Sequence, residues 1–114
     1  VNSRFLLLGS DLEILNEVNL QSTKHISLVD FEIVNGYCVM AGNFEGTLSL
    51  GGNNLLTSSK PSVFLICLDD QLNTNWAKVI SSSEASNIHA LETDYWGDLL
   101  VGVSYSGSIE PEVV

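Results

Sequence analysis

The acid–base candidates among the 114 residues are Asp30, Glu32, His89 and Glu92. A carboxylate pair such as Asp30 and Glu32 could serve as proton donor and acceptor. The simpler reading is that these carboxylates only solvate a strand end. His89 reads as a partly buried polar side chain satisfied by a neighbour. Cys38 and Cys67 lie alone in apolar runs without Cys-x-x-Cys spacing, so they read as buried thiols acting as small hydrophobes. One cross-strand disulfide is the alternative, and it would need close Cα atoms. Zinc held by Cys38, Cys67, His25 and His89 matches no ligand spacing. Asp69-Asp70 lacks the alternating acids of a calcium loop. Gly51-Gly52 lacks the lysine and the helix of a phosphate cradle. No Gly-x-Ser-x-Gly elbow occurs. The expectation is no catalytic residue, no cofactor and no metal.

Aromatic residues are the better candidates for contact with a partner: Tyr95, Trp96, Phe44 and Tyr105. Trp76 reads as packing. Tyr95-Trp96 falls in a turn, where large rings have little packing purpose, and exposed loop aromatics favour protein and sugar sites. Folding of the pair over a neighbouring sheet is the competing expectation, and the favoured one.

The charge narrows the partners. Fourteen acids against four cations give a formal net charge of -10. Such a surface repels phosphate backbones and anionic lipid, which excludes nucleic acid as an expected partner. The longest apolar runs, Phe5–Leu8 and Val63–Leu68, are far short of a membrane-spanning helix. The start Val1-Asn2-Ser3-Arg4, without a Met or an apolar leader, suggests a processed or excised part of a longer protein.

The elements that would position these residues are strands. Short runs of Val, Ile, Leu, Phe and Tyr bounded by turn residues predict strands near 3–8, 13–20, 26–34, 37–43, 47–50, 62–68, 74–80, 86–93 and 98–104, and a last one near 107–109. Asn35-Gly36 predicts a tight hairpin, and Gly51-Gly52-Asn53-Asn54 is expected to close a second, shorter one. Ser10–Asn19 carries Leu12, Leu15 and Val18 at helical spacing, but the corresponding Asn73-Thr74-Asn75 does not keep it, so a strand is expected there too. The chain also matches itself at an offset of 60. Phe5–Leu8 answers to Leu65–Leu68, Leu28 and Phe31 to Ile88 and Leu91, and Val39–Gly42 to Leu99–Gly102. Gly46 answers to Gly107 after one inserted residue. Four antiparallel strands at a fixed period predict the blade of a β-propeller, whose faces neighbouring blades must cover.

The stretch from Ile26 to Ile109 resembles the bacterial SBBP β-propeller repeat family. The likeness runs through Tyr37-Cys-Val-Met-Ala-Gly42, Phe44-Glu-Gly46, Gly51-Gly52, Val63-Phe-Leu-Ile-Cys-Leu-Asp69, Asn73-Thr-Asn-Trp-Ala-Lys78 and Gly97-Asp-Leu-Leu-Val-Gly102. In that family an aspartate turn and a strand ending in Trp-Ala-Lys join the outer strands of a blade. A kelch-like propeller is a weaker likeness. The resemblance implies an all-β propeller fragment of four-stranded antiparallel blades, one full blade and two half blades. Residues 1–25 would be the outer half of a preceding blade, 26–80 a complete blade, and 81–114 the inner half of a following one. The inner strands, 26–34 and 86–93, would then line a channel with Asp30, Glu32, His89 and Glu92. The implied role is non-catalytic: a binding or scaffold module of a secreted or cell-surface bacterial protein, mediating protein–protein contact in an envelope or secretion-associated complex. Its partners would be other blades or other subunits, outer-membrane proteins among them. A fragment of a propeller enzyme acting on polysaccharide is the alternative.

Overall fold

The computed structural model describes residues 2–111; Val1 and residues 112–114, the outermost parts of the first and last segments, lie outside them. Every regular element is a strand: β1 (Asn2–Leu8), β2 (Ile14–Ser22), β3 (His25–Val34), β4 (Tyr37–Leu50), β5 (Asn53–Leu68), β6 (Thr74–Ser82), β7 (Ala85–Thr93), β8 (Leu99–Ser106) and β9 (Ile109–Pro111). The protein is all-β with antiparallel pairing throughout. Ser10–Asn19 is a turn running into β2, not a helix. No helix among the described residues is long and apolar enough to cross a membrane.

The centre is a four-stranded sheet, β3-β4-β5-β6. The hairpin β1–β2 joins it through Leu20–Ser22 on the far half of β4, and β7–β8 forms a separate two-stranded sheet. The central strands are apolar on both faces because both faces are covered. On one face Met40, Phe44, Phe64, Ile66 and Leu68 meet Leu20 and Val18 of β2. On the other, Val39, Ala41, Val63, Leu65 and Cys67 meet Ile88, Leu91, Leu99, Val101 and Val103 of β7–β8. Cys38 belongs to the first face and Cys67 to the second, so their thiols are free and cannot bridge. Gly42 is required by the first face, since a Cβ there would collide with the Ser27 carbonyl and the Phe64 ring.

The pairing repeats along the chain. The bulge of β1–β2 at Leu8↔Ile14 recurs in β5–β6 at Leu68↔Thr74. The bulge of β3 between Leu28 and Asp30 recurs in β7 between Ile88 and Ala90. Leu20↔Leu50 recurs as Ile80↔Pro111. Thr23 and Ser83 play one part: each backbone N–H donates to a carbonyl (Thr47 O, 3.2 Å; Ser108 O, 2.8 Å), and each hydroxyl accepts the N–H of that same residue at 2.9 Å.

Two expectations are corrected. First, residues 53–61 are not a connection. They continue β5, pairing with the back half of β4 around the Gly51-Gly52 turn. Pro61 is tolerated because Ser59–Pro61 lie where the ladder shifts between Ser58 and Ser62. Second, the alignment of Val39–Gly42 with Leu99–Gly102 is one residue off. Leu28↔Gly42 and Phe31↔Met40 in β3–β4 correspond to Ile88↔Val103 and Leu91↔Val101 in β7–β8. β3 and β7 are therefore 60 apart, but β4 and β8 are 61 apart. The extra residue sits in the turn: Asn35-Gly36 is a two-residue loop, whereas Asp94–Asp98 closes around Tyr95, Trp96 and Gly97.

Candidate functional site

The turn that holds the extra residue is stiff. The Asp94 N–H donates to Asp98 O at 2.9 Å and the Gly97 N–H to Asp94 O at 3.2 Å. The Asp94 carboxylate accepts the N–H groups of Trp96 and Asp98, both at 2.9 Å. Gly97 supplies the left-handed residue at φ 86°. The same turn stands at Asp69–Asn73, where the Asp69 carboxylate accepts the N–H groups of Gln71 and Asn73. That use of Asp69 explains the aspartate without a cation. A third version stands at Gly9–Glu13, and in both of these a leucine (Leu12, φ 68°; Leu72, φ 64°) occupies the left-handed position.

What differs is the tip. The other two turns present Ser10-Asp11 and Asp70-Gln71; this one presents Tyr95, 94% exposed, and Trp96, 80% exposed. Their rings meet edge to face at 5.7 Å. The expectation that the pair folds over a neighbouring sheet is overturned: the clamp on Asp94 aims the tip outward. Behind it lies a small apolar groove of about 270 Å³, lined by Val34, Tyr37, Trp76, Gly97 and Leu99 among others. Trp76 packs between the central sheet and β7–β8 as expected, with the Lys78 ammonium 5.6 Å from its ring centre.

Phe44 is not a contact residue. It is fully buried and stacked edge-on to Phe64 at 6.1 Å, because its position on β4 points into the first core face. Its counterpart across the 61-residue offset is Tyr105, which is half-exposed. Tyr105 helps to line a larger open cleft of about 760 Å³ at the opposite end of the strands. Polar pairs from corresponding positions line it: Ser27 with Asn87, and Asn43 with Ser104. The Ile88 N–H donates to the Asn43 side chain at 2.8 Å, which ties β7 to the central sheet. Sequence reading missed Ser27, Asn43, Asn87 and Ser104; Ser27 and Asn87 were readable as a polar pair at the 60-residue offset, whereas Asn43 and Ser104 correspond only once the extra residue is placed in the turn.

The acid–base candidates do not converge. His89 sits exposed in the β7 bulge, within 2.7 Å of the Ser104 hydroxyl. Asp30 accepts the N–H of Phe31 next to it. Glu32 and Glu92 pair across different hairpins, with Val39 and Leu100 respectively. Among the described residues no three His, Cys, Asp or Glu side chains gather as a metal site. Burial raises the pKa of the Cys38 and Cys67 thiols, aided at Cys38 by Cys67; at Cys67 an Asn75 contact opposes the rise and Asp69 adds to it. No family model, no curated protein and no solved structure matches the chain.

Proposed function

We propose that the chain is a propeller segment acting as a binding or scaffold module, and that the Tyr95–Trp96 tip is its contact with a protein partner. The observation that carries this is the edge-to-face pair of rings held outside the fold by a turn whose two sister copies are polar at the tip. Aromatic anchors on a rigid support bind with little loss of side-chain freedom, which is the pattern of an interface hot spot. The division into a four-stranded unit over 26–80 flanked by half units, and the setting at a bacterial surface or secretion complex, rest on the resemblance to SBBP repeats together with the recurring register.

The test is a photo-crosslinking side chain placed at Tyr95 and, as a control, at the matched turn position Asp70. A defined protein adduct from the source cells at position 95 and none at 70 supports the assignment. Equal labelling at both positions, or none at either, removes it.

A polysaccharide-directed role is favoured by one feature, the cleft with hydroxyl and amide groups beside Tyr105. Titration of the chain with oligosaccharides, followed through tyrosine and amide resonances at Asn43, Ser104 and Tyr105, separates the two readings.

A further inference from the structure

Among the described residues β1, β3, β7, β8 and β9 each pair on one side only, and two of these open edges, those of β1 and β8, correspond to edges that are paired in the centre of the molecule. Among the described residues, β1 pairs only with β2, and β8 only with β7. Across the 60-residue offset β1 corresponds to β5, and across the 61-residue offset β8 corresponds to β4. In the centre of the molecule β4 and β5 are partners along their length. The edge that β1 leaves open is thus the one by which β5 receives β4, and the edge of β8 is the one by which β4 receives β5.

We propose that a second copy of this chain completes the pair, the β8 edge of one copy docking antiparallel on the β1 edge of the next. The register follows from β4–β5. Cys38↔Leu68, Val39↔Cys67 and Met40↔Ile66 become Leu99↔Leu8, Leu100↔Leu7 and Val101↔Leu6 between copies. These residues have the chemistry such a ladder needs. Leu6, Leu7 and Leu8 are each about two-fifths exposed, and Leu100 is 60% exposed. In the centre their counterparts Ile66, Cys67, Leu68 and Val39 are buried. Leu6 and Leu7, with Leu28 and Ile33 of β3, also line an apolar groove of about 290 Å³, and Ile33 is 63% exposed. The docked β7–β8 hairpin would lie beside that groove, as β3–β4 lies beside β5.

Neither edge carries the usual protection. β8 reads Leu-Leu-Val-Gly-Val-Ser-Tyr-Ser, without a charge or a proline, and β1 holds only Arg4. Arg4 would stand opposite Val103, where the centre has Gly42 opposite Phe64, and it is already ion-paired to Glu17 of its own hairpin at 3.5 Å. The contact is head-to-tail: each copy offers one edge of each kind, so assembly continues to a closed ring or a filament. The inference rests on the recurring register and is independent of the Tyr95–Trp96 contact.

The experiment uses two variants of the whole chain, Leu7→Lys and Leu100→Lys. Both sites are exposed enough for a lysine stem, so both proteins are expected to fold, which circular dichroism checks. The wild type should grow in mass above 12.4 kDa with concentration by sedimentation or light scattering. Each variant alone should associate at least about tenfold more weakly, because its ladder would bury a charge. An equimolar mixture should give a 1:1 complex and nothing larger, since the intact β8 of Leu7→Lys meets the intact β1 of Leu100→Lys. A wild type that stays monomeric up to about 100 µM, variants that assemble like the wild type, or a mixture that stays monomeric would each overturn the proposal.

Discussion

Leu91 and Leu100 are one residue type on one hairpin, facing opposite ways. Leu91 pairs with Val101 and is fully buried against the central sheet, while Leu100 pairs with Glu92 on the outer face and is 60% exposed. Leu91→Ala removes a buried isobutyl group from between Val39, Ala41, Val63 and Leu65, which cannot close over the gap without moving a strand. The transfer and cavity costs together come to about 3–4 kcal/mol. That is a large part of the stability of a chain this size, on the order of 5–15 kcal/mol. At roughly 4 °C per kcal/mol the midpoint of melting falls by about 12–16 °C. Leu100→Ala, made mostly on solvated surface, costs about 0.5 kcal/mol when the protein is dilute. Urea unfolding followed by far-ultraviolet dichroism at low micromolar concentration measures both. Equal losses at the two sites, or a loss below about 1 kcal/mol for Leu91→Ala, would refute the packing of β7–β8 on the second core face. Repeating the series at high concentration adds a control: only the Leu100 variant should then lose ground further against the wild type, as its outer face becomes an interface.

The three sister turns give a matched test of backbone strain. Gly97→Ala puts a Cβ at φ 86° and should cost about 1 kcal/mol by thermal melting, whereas Leu12→Gly, at an exposed left-handed leucine, should be neutral or stabilising by up to about 1 kcal/mol. Ser83→Ala removes the acceptor for the Ser108 N–H and should cost about 1 kcal/mol while fraying the β6–β9 pairing, read by amide exchange at Ser82 and Ile109. Burial raises both thiol pKa values in the folded chain, so the neutral thiols favour folding: their contribution is complete below the ordinary thiol range and is lost as pH climbs above about 9. Alkylation of the native protein should therefore be far slower than in urea and should keep rising past pH 9 without levelling; a plateau near pH 8.5 would contradict it. Trp96→Ser should leave the urea midpoint unchanged within about 0.5 kcal/mol and, in a chain carrying the crosslinker at position 95, abolish the partner adduct.

Much of the fold was legible because local signals agreed. Asn35-Gly36 and Gly51-Gly52 name their hairpins, and the fully apolar Val63–Leu68 belongs to a strand covered on both sides. Thr57-Ser58-Ser59-Lys60-Pro61 gave no strand signal; residues 53–58 extend β5 because the back half of β4 offers a partner, a tertiary effect that propensity does not carry. Phe44 could have been placed by alternation: it is even-numbered like Met40, and Met40 is core. The Tyr95–Trp96 turn was legible as a turn, but its direction depends on the two hydrogen bonds to Asp94, and no sequence pattern distinguishes an outward tip from a folded-over one.

The misplaced insertion shows why a glycine match is weak evidence for register. Gly42 and Gly102 are flanked alike, so sequence alignment pairs them. The residue at the true counterpart of Gly42 is Val103, and a side chain fits there because β8 has no neighbouring strand carrying a ring like that of Phe64. Had the extra residue fallen after Gly102, Leu100 would take the place of Met40 and face the central sheet, while Val101 would face outward. The burial is the reverse: Leu99, Val101 and Val103 pack inward and Leu100 stands in solvent. A turn can absorb one residue without flipping the strand that follows. The same insertion thus lengthens the loop that carries Tyr95 and Trp96 and leaves the strand alternation intact, with Leu100 on the face that a further strand pair would cover.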